Sequence, residues 1–88
     1  MSDPIDSLPS DTTIALIWDF RGPSSAQIAA HHKIHLQEFM DHESLPHLGL
    51  NVTPGQGQMH SVYLLVNVIL VNDLRERLKP NRGQKWQD

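Results

Sequence analysis

The sequence predicts an α+β fold in the order β-α-β-β-α, with or without a closing strand. Three observations carry that prediction: three segments in which apolar residues alternate with period two, one long stretch free of Gly and Pro, and turn-forming residues at most junctions.

Thr12 to Phe20 puts Ile14, Leu16, Trp18 and Phe20 on one parity and Ala15, Ile17 and Asp19 on the other, the pattern of a strand rich in β-formers. Arg21-Gly22-Pro23 breaks it. Ser24, with Gln27 three residues later, fits a capping box in which the two side chains satisfy orphaned backbone N–H groups. The helix starting there runs to about His42, with Ile28, Leu36 and Phe39 on its inner side and Lys33, Gln37 and Asp41 opposite. Leu45-Pro46 ends it, because the residue before proline avoids helical angles. Leu48, Leu50 and Val52 mark a second strand, Thr53-Pro54-Gly55-Gln56-Gly57 a turn, and Met59 to Val66 a third strand that pairs with the second as a hairpin. Asn67 is the favoured N-cap of a second helix carried by Leu70, Val71, Leu74 and Leu78. The alternative is a strand continued through Val68 to Val71, with the helix starting at Asn72. Pro80 and Gly83 close this helix, and Gln84 to Asp88 either add a short edge strand through Lys85 and Trp86 or fray.

Residues 1–11 read as a loose leader, 12–80 as a single domain and 81–88 as a tail or edge strand. Ile, Leu, Val and Phe make up 24 of the 88 residues, enough for a core, although a chain this short must cover every apolar face it has. Without cysteine there is no disulfide frame and no thiolate metal site, so stability has to come from packing. The first residues have neither a basic segment nor an apolar run, and the longest apolar stretch, Val62 to Val71, is about half a membrane span. A cytoplasmic protein with no membrane partner is the expectation. Net charge is −3, and the seven Lys and Arg are not gathered on one segment, which argues against nucleic acid.

This element order is similar to that of ferredoxin-like domains and of the small α+β-barrel proteins that dimerise through the sheet. The resemblance implies an antiparallel sheet with two helices on one face. One strand parity (Ile14, Leu16, Trp18, Leu48, Leu50, Val52, Val62, Leu64, Val66) is the floor for those helices. The other (Ala15, Ile17, Met59, Tyr63, Leu65, with Asn51 and Ser61) is too apolar to be left in water. Two helices cover one side, so the simplest cover for the other is a second copy packed sheet to sheet, with about 800 Å² buried per partner. A chain end folded back across that face is the alternative. Between two sheets, Ile17, Asn51, Tyr63, Leu65 and His47 are candidates to line a cavity for a small apolar ligand, and a dry interface is the competing outcome.

Six histidines are present, and His31, His35 and His42 share one flank of the first helix with Glu38. Two imidazoles one turn apart can share a divalent metal, with Glu38 or His42 as a third donor, although the glutamate of a zinc-protease helix is absent. No other cofactor is indicated. His32 falls on the inner side, where a neutral packed ring is the expectation. Ser24 and Ser25 lack the surroundings of a nucleophile elbow, and the Gly55–Gly57 segment lacks the Lys-Ser/Thr of a phosphate loop. Asp19 and Arg21, at the end of the first strand, could pair with each other or with Asn51. Three function classes follow: a homodimeric binding or regulatory protein, a small cofactor-independent enzyme acting on an apolar or aromatic compound, and a metal-binding protein.

Overall fold

A computed structural model describes residues 8–86. Strand β1 (Thr13–Arg21) leads into helix α1 (Ser25–His42). The hairpin of β2 (Gly49–Pro54) and β3 (Met59–Asn67) follows, then a 3-10 turn (Val68–Leu70), helix α2 (Val71–Leu78) and strand β4 (Arg82–Lys85). The four strands form one antiparallel sheet in the order β2-β3-β1-β4. The C-terminal segment is therefore an edge strand, although it starts two residues earlier than its composition suggests.

Strand parity sorts the apolar side chains as the sequence implies. Ile14, Leu16, Trp18, Val62, Leu64 and Val66 pack in one buried cluster with Ala29, Leu36 and Met40 of α1 and Val71 and Leu74 of α2. Leu50 and Val52 border that cluster, whereas Leu48 is 66 % exposed and precedes the strand. The inner face of α1 differs from the expectation. Its buried line is Ser25, Ala29, Leu36 and Met40, and Ile28 is 48 % exposed. Small side chains at Ser25 and Ala29 let the first turns approach the sheet, so the buried centre is set by close packing rather than by the largest residues.

The start of α1 is secured differently from the capping-box expectation. Ser24 makes no side-chain cap; instead Ser25 Oγ shares a 2.8 Å hydrogen bond with His60 Nδ1 on β3, which ties the first turn of α1 to the sheet. Asn67 does act as a cap, accepting from the Ile69 N–H at 2.9 Å, but it opens a 3-10 turn and α2 begins at Val71. Lys79, not Gly83, takes the left-handed conformation (φ 51°) that ends α2. On either side of it, the Trp18 indole N–H donates to the Leu78 carbonyl (3.0 Å), and the Asn81 N–H donates to the Ile17 carbonyl (2.9 Å). These bonds deliver the chain to β4 alongside β1.

Part of the expected leader is built into the domain. Leu8 packs against the main cluster, and the Ser10 carbonyl accepts from Asn67 Nδ2 at 2.8 Å. Residues 1–7 lie outside the described residues. At the other margin of the sheet, the Val52 N–H of β2 donates to Asn51 Oδ1 (3.0 Å), and Pro54 has no N–H to offer. Among the described residues no helix is long and apolar enough to cross a membrane.

Asn67 holds two chain segments with one side chain. Asn67→Ala is expected to lower stability by about 1 kcal/mol, the usual cost of a lost cap. The urea midpoint should fall with the slope unchanged; an unmoved midpoint would show that the junction does not depend on this amide.

Candidate functional site on the outer sheet face

The face turned away from the helices carries a second, smaller apolar cluster: Ala15, Ile17 and Leu65 are buried, with Tyr63 and Trp86 packed against them. Its cover comes partly from the chain itself. The Trp86 N–H donates to the Thr13 carbonyl (2.9 Å), which places the indole over the sheet just beyond β4, and its ring stacks on Tyr63 with centroids 5.5 Å apart and planes 21° from parallel. Gly49 contributes in the opposite sense: a Cβ there would stand 3.2 Å from Leu65 Cδ1, so glycine leaves room for Leu65 on this face. Burial of this face therefore does not require a second copy.

Beside the aromatic pair lies a cleft of about 430 Å³, with Ile17, Met59, Tyr63 and Trp86 among its walls and Ser61 and Arg82 among its polar groups. The sheet register explains the arrangement. Tyr63, Ile17 and Arg82 are successive partners across β3, β1 and β4, so the ring, the apolar floor and the guanidinium share one row. In the next row Ser61 lies opposite Asp19.

Asp19 is the centre of the polar end. It accepts from Ser61 Oγ at 2.6 Å, from Arg82 Nε at 3.2 Å and from Arg82 Nη2 at 3.3 Å, a side-on fork with one further bond. These bonds from Arg82 and Ser61, with the charges of Arg82 and Arg21, hold the Asp19 carboxyl below its ordinary pKa despite partial burial. It is thus a weak base with its lone pairs engaged, suited to fixing Arg82 rather than to abstracting a proton. The partner expected from the sequence was Arg21 or Asn51; Arg82 prevails because β4 brings it alongside β1.

Of the residues predicted to line a cavity, Ile17 and Tyr63 do so. Leu65 lies beneath the face in the buried cluster, and Asn51 is exposed with its amide oxygen turned to the Val52 N–H. His47 is not in the cleft wall, and its buried Nδ1 has no partner among the described residues. Trp86, Arg82, Ser61 and Met59 complete the site. Ser61 and Met59 already stood on the outer parity; Arg82 and Trp86 became visible only once the tail was known to be a strand.

The histidine stripe of α1 is solvent-facing. The His31 and His35 rings meet edge to face at 4.5 Å, His35 Nδ1 is 3.6 Å from Glu38 Oε1, and His42 is exposed one turn further on. Among the described residues, no three His, Cys, Asp or Glu side chains are placed together as a metal cage. Ser25 and His60 make a serine–imidazole pair that the sequence did not suggest. Ser25 is 1 % exposed, so its hydroxyl is closed to a substrate carbonyl and works as a structural tie.

Compared with known proteins, the chain matches no family model, no curated protein and no solved structure.

His32 has a distinct environment. Its ring sits against Trp18 (5.2 Å) and Phe20 (5.4 Å), and its buried Nε2 has no partner among the described residues. Burial, with a smaller contribution from the charge of His35, pushes its pKa below the ordinary imidazole value. The unfolded chain therefore binds this proton first, and the stability contributed by the neutral ring is complete above about pH 6.5 and declines as pH falls below it. Thermal unfolding at pH 7.5 and pH 5 should show a smaller acid-induced drop in His32→Gln than in the wild type; equal drops in both would rule out a contribution from His32.

Proposed function

We propose that this is a small ligand-binding protein that takes an apolar, ring-bearing compound on the outer face of its sheet. The observation that carries the proposal is the Tyr63–Trp86 stack standing beside an open cleft floored by Ile17, with a polar group at one end. A cleft of this size with apolar walls and few polar groups is typical of small-molecule sites, and flat aromatic walls favour a flat aromatic guest. Binding rather than catalysis is favoured by the chemistry of the polar end. Asp19 is occupied by Arg82 and Ser61, and no histidine lines the cleft. The order β2-β3-β1-β4, with both helices packed on the inner face, supports placing the domain among ferredoxin-like folds.

A second copy is the alternative occupant of the same face. Met59, Tyr63 and Trp86 are only partly buried at the cleft, and these residue types suit an interface core. A sheet-to-sheet homodimer would bury them further. Metal binding has less behind it, since His31 and His35 bring a single carboxylate near them at 3.6 Å.

The chain has two tryptophans, so a Trp18→Phe variant leaves Trp86 as the lone indole reporter. Its fluorescence is expected to change on titration with a neutral bicyclic aromatic such as 2-naphthol, and Tyr63→Ala is expected to weaken that binding about tenfold, the loss of one aromatic contact. Fluorescence that stays constant up to millimolar 2-naphthol would refute the ligand cleft. Sedimentation equilibrium at micromolar protein separates the alternatives: a 10.0 kDa species leaves the cleft open to a ligand, and a species of twice that mass, broken by Tyr63→Asp, identifies the second copy.

A further inference from the structure

The cleft has a definite electrical character at one end. Arg82 gives two of its five N–H groups to Asp19, through Nε and Nη2, and the other three have no partner among the described residues; its side chain is 51 % exposed. Gln84, two residues on along β4, adds a side-chain amide to the same wall. The one nearby carboxylate is engaged: Asp19 takes three hydrogen bonds, one of them from the Ser61 hydroxyl. The charges do not cancel either. Asp19 faces two guanidinium groups, Arg82 in contact and Arg21 near enough to act on it electrostatically, so the group carries a net charge of about +1. Among the described lining residues Arg82 is the one cation and no carboxylate is present. A donor-rich, singly positive end beside a stacked aromatic wall is complementary to one anionic group on one flat ring.

We propose that the cleft takes a planar aromatic monocarboxylate, its ring lying on Ile17 beside Tyr63 and its carboxylate on the outward N–H groups of Arg82. The proposal deepens the ligand-binding role above and rests on it. Register fixes the fit. Tyr63, Ile17 and Arg82 occupy neighbouring strands in one row, and strands are spaced about 4.8 Å apart, so a guest stacked over Ile17 beside Tyr63 has Arg82 within reach of a substituent on its ring. Asp19 is a positioning residue here. It holds the guanidinium in place through two hydrogen bonds and, by its own charge, limits how strongly a second anion is attracted.

Calorimetric titration with 2-naphthoate and its neutral isostere 2-naphthamide tests this in the full chain, with 2-naphthol as the neutral control. The wild type is expected to bind naphthoate about tenfold more tightly than the amide, the value of one charge-assisted contact, with the difference shrinking in high salt. Arg82→Gln should lower naphthoate affinity to that of the amide or below it, and should weaken the amide much less than naphthoate. Asp19→Asn should move naphthoate the opposite way, to several-fold tighter binding, because it releases Arg82; a purely structural ion pair would give weaker binding in both variants. Equal affinity for naphthoate and naphthamide in the wild type, with both lost in Tyr63→Ala, would overturn the carboxylate assignment and leave the aromatic cleft standing. Absence of binding by naphthoate, naphthamide and 2-naphthol alike would overturn both.

Discussion

Five consecutive residues of β1, Ile14 to Trp18, are buried, so the central strand has solvent on neither side. A strand in that position obliges the molecule to build two layers of cover, and the rest of the architecture follows from meeting the obligation with a short chain. The two helices meet it on one side, where Leu16, Leu64 and Val62 lie fully enclosed. On the other side cover comes at least in part from single side chains, above all the stacked Tyr63–Trp86 pair packed against the cluster of Ala15, Ile17 and Leu65. Cover by a few large rings leaves gaps that a helix would fill, and the cleft is such a gap. The apolar requirement of β1 and the presence of a candidate binding site are thus two results of one constraint.

Much of this was legible in the sequence because alternation with period two is a strong signal wherever both parities have definite partners. The strands, the hairpin turn and the apolar character of both sheet faces follow from residues such as Leu16, Ile17, Val62 and Tyr63 alone. Less legible was the α1 surface, since Ser25 and Ala29 carry no hydrophobic signal and owe their burial to the closeness of helix and sheet. The tail was ambiguous for a related reason. Arg82-Gly83-Gln84-Lys85 is polar, all of it is exposed, and its strand character comes from pairing with β1 rather than from its own preferences.

The candidate site shows the same division. Ile17 and Tyr63 announce themselves as apolar residues on the wrong side of a sheet, and both line the cleft. Arg82 and Trp86 are distant in sequence and meet the others only through the β1–β4 pairing, a long-range contact no local pattern encodes. Asn51 and His47 had the right chemistry and the wrong place: Asn51 spends its amide on the neighbouring backbone, and His47 lies before β2 begins. The histidines as a group divide by environment, with His32 desolvated against Trp18 and Phe20 while His31 and His35 stay in water.

The margins of the sheet have a consequence for the protein's behaviour at high concentration. An open strand edge is a template on which other chains can grow, and both edges here are poor templates. On β2 the Val52 N–H is already occupied by Asn51, and Pro54 supplies no donor. On β4 the strand is four residues long and carries Arg82 and Lys85, so like charges would face an approaching copy. A sheet with so apolar a centre is thereby steered away from runaway stacking into fibrils.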